Sequence, residues 1–183
     1  MNRIAAQWAA LPKPRRRAAT GFSLIELLIV VAIILIIAAI AIPNLVRSKI
    51  AANEASAVSS VRTITTAETT YTTTWGVGYA PDLPSLGGVA IPCVPSAASA
   101  CLIDSMLTGG AKSGYTFTAA GNTSMGGVDE GFETNATPIV VGTTGQRAFC
   151  SDQTGVIRYN TTGVAIGTGA ATCGTLAATL VGN

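Results

Sequence analysis

The chain has 183 residues, 49% of them hydrophobic and only 11% charged, which suits one packed domain or two small ones and argues against disorder. It has no histidine, which removes histidine-based triads, cysteine–histidine nucleophile pairs, histidine-ligated haem and histidine-containing zinc sites. The net charge of +2 hides an asymmetry: residues 1–21 carry +5 and residues 76–183 carry −3, so without its basic head the chain has little with which to neutralise phosphates, and nucleic acid is not an expected partner.

Residues 1–21 hold Arg3, Lys13, Arg15, Arg16 and Arg17 and no acid. An apolar run follows directly. A secretory signal also starts with positive charge, but this run is longer than a usual signal core and lacks a clear small-residue cleavage site. The positive-inside rule puts the arginine-rich end in the cytoplasm and the remainder across the membrane.

Between Phe22 and Trp75 there is no glycine and a single proline, Pro43. So few breakers in 54 residues predict one long helix, roughly 80 Å at 1.5 Å per residue. Its first part, residues 22–46, includes Leu27–Val46, 20 residues without a charge. That is about the length needed to cross a bilayer core. A helix apolar on every side needs lipid or other helices around it. Pro43 predicts a kink, because proline removes one bond of the helical ladder.

The second part, residues 47–75, is amphipathic. Val58, Val61, Ile64, Ala67, Tyr71 and Trp75 recur at helical spacing and should face a packed domain. Asn53, Glu54, Ser59, Ser60 and Arg62 are expected on the opposite faces. Eight of the twelve residues from Thr63 to Thr74 are threonine, so this helix needs tertiary packing to hold.

Residues 76–112, with four prolines, read as a connecting region with a short helix near Ile103–Leu107. Strands are expected at Tyr115–Ala119 and Phe132–Val141. Arg147–Ser151 and Val156–Asn160 flank the turn-prone Asp152–Gly155 and predict a hairpin. The expected fold is α+β: the long helix packed on a small antiparallel sheet over 113–160, with a C-terminal loop over 161–183.

Cys93, Cys101, Cys150 and Cys173 all lie in the region expected outside the cytoplasm. An even count in an exported chain points to two disulfides. Three pairings are possible; Cys93–Cys101 and Cys150–Cys173 are favoured because each closes a local loop. Asp129, Glu130, Glu133 and Asp152 are expected to form a solvated acidic face rather than a calcium cage, so no metal and no cofactor is expected. Gly110, Lys112 and Ser113 make only a broken fragment of a phosphate-binding loop. The sequons at Asn122, Asn135 and Asn160 carry little weight. No convincing nucleophile–base set is present, so no catalytic residue is expected.

The junction is the most specific feature. Gly21 and Phe22 follow the basic stretch, and Glu26 stands at the mouth of the apolar run. A carboxylate at the centre of a membrane helix costs about 2.5–3.5 kcal/mol, less near its end. Ser23 and Glu26 also fit a capping box, which gives Glu26 a local role as an alternative. Together Gly21, Phe22, Glu26, the basic leader and the uncharged span with Pro43 resemble the type IV prepilin family, which includes the pseudopilins of type II secretion. The resemblance covers about residues 13–75. It implies that a prepilin peptidase cuts between Gly21 and Phe22, and that Phe22 is then N-methylated. It implies that Gly21 is required for cleavage and Glu26 for efficient assembly, and that helix near Pro43 melts on assembly. It also implies that Cys150–Cys173 bounds a C-terminal loop.

Cleavage would create an amine with a pKa near 7.7–8.0, mostly charged at neutral pH. Glu26 of a neighbouring copy is its natural partner in an apolar core. The expected function is a structural subunit of a type IV pilus or related filament, not an enzyme. The expected partners are copies of itself through residues 22–46, the peptidase, an inner-membrane assembly platform and lipid. The expected location is the inner membrane, then the pilus or cell surface. Within the family the alternative is a type II secretion pseudopilin. Outside it stand a membrane-anchored exported binding domain and an exported hydrolase, neither of which accounts for Gly21 and Phe22 together with Glu26.

Overall fold

A computed structural model describes residues 21–88, 92–167, 172–175 and 179–180. Apart from Gly21, the basic leader lies outside the described residues. The chain divides into two units, Met1–Ala41 and Ile42–Asn183.

In the first unit the helix α1 begins at Leu24, and every residue from Gly21 to Ile37 is exposed. The helix α1 runs through Pro43 to Trp75 as one element. Pro43 has no N–H to offer the carbonyl of Ala39, so one ladder bond is missing by chemistry.

Among its described residues the second unit carries a six-stranded sheet in sequence order, β1 (Ala111–Lys112), β2 (Tyr115–Met125), β3 (Val128–Pro138), β4 (Ala148–Asp152), β5 (Arg158–Asn160) and β6 (Thr179–Leu180). All neighbours are antiparallel. It reaches past the expected 113–160 at both ends. The largest departure is β2, expected to stop at Ala119. It runs on to Met125 and turns into β3 through Gly126 and Gly127, at φ 61° and 89°. A two-residue turn with both residues at positive φ matches strand twist, and glycine supplies it without strain.

The other expected strand is also redrawn. The stretch at Phe132–Val141 starts earlier, at Val128, and ends at Pro138. Ile139–Val141 belong instead to a tight loop. The connecting region holds two short helices, α2 (Leu83–Leu86) and α3 (Ser105–Thr108). Asp82 caps α2 by accepting the Ser85 N–H at 2.9 Å, and Asp104 caps α3 by accepting the Leu107 N–H at 3.0 Å.

Strand alternation decides which side chains meet α1. Tyr115, Phe117 and Ala119 of β2, Ala136 of β3 and Phe149 of β4 share a face and pack with Ala57, Val61, Ile64, Ala67 and Tyr71. Each fully buried large aliphatic of this set contributes about 1.5–3 kcal/mol. The opposite face carries a second cluster, Ala148, Cys150, Ile166 and Cys173. Disulfides join Cys93 to Cys101 and Cys150 to Cys173. The second bridge holds α4 (Thr172–Thr175) against β4.

Two expectations about polar residues fail. Glu54 and Ser60 are buried rather than on the solvent side of α1. Positions 54, 57, 61, 64, 68 and 71 step by three and four, so Glu54 and Glu68 fall on the packed stripe itself. Glu133 and Asp152 do not form a solvated acidic face in loops. They are buried, paired across β3 and β4, and hydrogen-bonded.

Candidate functional site

Two sets of residues stand out, one at the start of α1 and one where its later turns meet the sheet. At the start, Gly21 is in irregular backbone, and a methyl group added to it would meet no atom within 4 Å. Nothing within the described chain therefore demands glycine there. Phe22 is 72% exposed. The Leu27 N–H donates to the Ser23 carbonyl at 3.2 Å, which makes Ser23 the last residue before the helix. Glu26 lies in the first turn and is exposed. A carboxylate there opposes the positive end of the helix dipole.

The apolar run behind it stays exposed among the described residues. Its large side chains from Leu24 to Val46 stay 43–80% exposed. Such a contiguous apolar surface is far beyond what a soluble monomer shows. By length and composition α1 is able to cross a membrane.

The second set fixes the packed half of α1. Glu54 is 6% exposed. One carboxylate oxygen accepts the Gln146 and Arg147 N–H groups at 2.9 and 3.1 Å; the other accepts the Arg147 guanidinium at 2.9 and 2.6 Å. Burial pushes the Glu54 carboxyl up, but the Arg147 hydrogen bond and charge and the Gln146 N–H outweigh it and hold it below its ordinary range. The Arg147 guanidinium also lies 5.6 Å from the Phe149 ring centre and 5.0 Å from that of Tyr159.

Glu68 is fully buried and lacks such a partner. One oxygen accepts the Ala80 N–H at 2.8 Å and the other has no hydrogen bond. Burial raises its pKa to about 7; the Ala80 N–H opposes that and the charge of Asp129 adds to it. On the far face Glu133 accepts the Cys173 N–H at 2.7 Å and the Thr172 hydroxyl. Asp152 accepts the Thr154 N–H at 2.9 Å and meets Arg158 at 3.4 Å. These carboxylates are tied into the fold, and among the described residues no group of three or more acids or cysteines is placed to hold a metal.

Sequence reasoning missed Glu54, Glu68 and Arg147. A signal for the glutamates existed in their helical register, since each lies seven residues, about two turns, from Val61. None existed for Arg147, which lies 93 positions from Glu54.

Residues 16–42 match the family model of the prokaryotic N-terminal methylation motif. No curated protein and no solved structure matches the chain.

Proposed function

Proceeding from that motif, which supports a type IV prepilin family and a pilin or pseudopilin-like precursor, we propose that the chain is a structural subunit of a type IV pilus or pilus-like filament. Before assembly residues 22–46 hold it in the inner membrane, with the leader in the cytoplasm and residues 47–183 on the other side. In the filament the same segments bundle, and the packed units form the surface. The observation that carries this reading is a helix exposed and apolar from Leu24 to Val46, directly after Gly21 and Phe22. Such a surface needs lipid or copies of itself.

The roles of single residues follow. A prepilin peptidase hydrolyses the bond between Gly21 and Phe22, and Gly21 serves the peptidase's needs, since a methyl group there would meet no atom within 4 Å among the described residues. The new Phe22 amine is N-methylated and keeps its positive charge. Glu26 of a neighbouring copy pairs with that amine, so both charges leave water or lipid together. An unpaired charge in an apolar core is expensive, so this pair specifies the register between subunits.

The direct test shears filaments from cells and determines the N-terminus and intact mass of this chain. The expected product begins at N-methyl-Phe22 and is found in filaments. A processed chain confined to the membrane would favour a pseudopilin. An uncut chain starting at Met1 would overturn the reading. Glu26→Gln should be cleaved normally yet yield few filaments, and wild-type filament numbers would remove the pairing role.

A further inference from the structure

Ile139, Val140 and Val141 are three consecutive branched aliphatics left 57, 51 and 47% exposed. Scattered exposed aliphatics are ordinary, but a contiguous set marks a contact surface. The segment from Ile139 to Gly145 contains no charged residue.

The loop is firmly built. The Ile139 N–H donates to the Gly114 carbonyl at 3.0 Å. The Thr143 and Thr144 N–H groups both donate to the Val140 carbonyl, at 3.1 and 2.9 Å, and the Gly142 N–H to that of Gly145 at 2.8 Å. The Val140 N–H donates to the Thr144 hydroxyl at 3.0 Å. These bonds hold the loop, and Ile139, Val140 and Val141 stay exposed on it.

Its place along α1 is also fixed. The Asn53 side-chain amide donates to the Thr144 carbonyl at 2.7 Å. Asn53 is seven residues past Val46, where the apolar run ends. That is about 10 Å along a helix axis. The headgroup layer extends about 5–8 Å beyond the hydrocarbon core on each side. The loop therefore hangs within roughly a side-chain length of that layer. From Ile42 to Asn53 the chain carries Arg47 and Lys49, both exposed, and no acid. The next acid, Glu54, is already paired with Arg147.

We infer that the Ile139–Val141 loop is a second membrane contact, which sets its aliphatic side chains into the headgroup layer of an anionic bilayer while Arg47 and Lys49 meet the lipid phosphates. The inference rests on the reading that the apolar half of α1 spans a bilayer. The contact would fix the orientation of residues 47–183 at the surface before assembly. Basic residues at an anionic leaflet and an apolar wedge beside them act together. Entry into a filament would then require the loop to leave the lipid.

The test reconstitutes the full chain, with its disulfides oxidised, in vesicles of phosphatidylglycerol and phosphatidylethanolamine. A polarity-sensitive label is placed singly at Leu35→Cys, Val140→Cys or Val94→Cys, and quenched by lipids spin-labelled at the headgroup or deep in the chain. The expected result is deep quenching at 35 and headgroup quenching at 140 several-fold above that at the exposed residue 94. Arg47→Gln with Lys49→Gln should shrink the signal at 140. If 35 is deep and 140 matches 94, the loop inference fails while the membrane reading stands. If 35 is not deep, both fail. If the signal at 140 grows with protein-to-lipid ratio and vanishes at high dilution, a second copy covers the loop and the inference is overturned.

Discussion

The two halves of α1 are built from one unbroken helix but obey different rules. From Leu24 to Val46 the helix is nearly all aliphatic and stays exposed. From Arg47 to Trp75 it is poorer in aliphatics and rich in threonine, yet it supplies Ala57, Val61, Ile64, Ala67 and Tyr71 to the core. Hydrophobicity alone therefore does not decide burial. The large aliphatic side chains of the first half stay exposed among the described residues, which suits lipid or other helices around them. The second half is held by the sheet, and that hold is close enough to bury two glutamates.

The largest test of this contrast introduces an acid into each half. Ile64 is fully buried between α1 and the sheet. Ile64→Asp should destabilise residues 47–183 by more than about 4 kcal/mol, read as loss of the cooperative melting transition. Ile36 is 64% exposed. Ile36→Asp should leave that transition unchanged and instead reduce membrane retention, by about 2.5–3.5 kcal/mol of insertion free energy. If Ile36→Asp lowered the melting temperature, the first half would be packed after all.

The same contrast explains what is legible in the sequence. The long helix, its apolar and amphipathic halves and the α+β class follow from period, breakers and composition, which are local properties. So does the methylation motif, whose residues are contiguous. Glu54 reads as a solvent residue, and Glu68 draws no notice, because charge outweighs helical spacing in assigning a residue to solvent, and the partner that offsets burial is not local. For Glu54 that partner is Arg147 on a distant loop; for Glu68 it is one backbone N–H in the segment after α1. Strand β2 reads short because Gly121, Asn122 and Ser124 are weak strand formers. Its register with β3 from Tyr115 to Met125 carries them, and Gly126 with Gly127 is the hairpin signal that marks its true end.

The two buried glutamates sharpen the comparison through pH, in opposite senses. Glu68 has a folded pKa near 7, above the ordinary 4.5. The native state then binds more protons than the unfolded chain between those values, so stability falls as pH rises from about 4.5 through 7. The whole effect is about 3 kcal/mol. Glu68→Gln should flatten this slope and exceed wild type in stability at pH 8, measured by denaturant titration. A wild-type slope in the variant would assign the pH dependence elsewhere. Glu54 is depressed, so its contribution is present above the ordinary carboxylate range and is lost as pH falls through its lowered folded pKa. Glu54→Ala should cost about 2 kcal/mol at pH 7 and less in acid, because Arg147 loses its partner while staying partly hydrated.

The smallest expected effect concerns the threonines of the packed half. Seven hydroxyls, those of Thr63, Thr65, Thr66, Thr69, Thr70, Thr73 and Thr74, donate to the carbonyl four residues earlier. Each hydroxyl proton is thus satisfied inside the helix, and bonds of this kind weakly perturb the ladder rather than strengthen it. Threonine also gives up side-chain freedom in a helix. Neither property helps this half stand alone, so its order comes from the core contacts of Val61, Ile64 and Tyr71. Thr66 is exposed, and its hydroxyl bonds to the Arg62 carbonyl at 3.0 Å. Thr66→Ala should therefore raise stability, by about 0.5 kcal/mol from helix propensity. A loss of stability instead would mean that the hydroxyl ladder itself supports the helix, and that the packed half owes less to the sheet than its buried stripe implies.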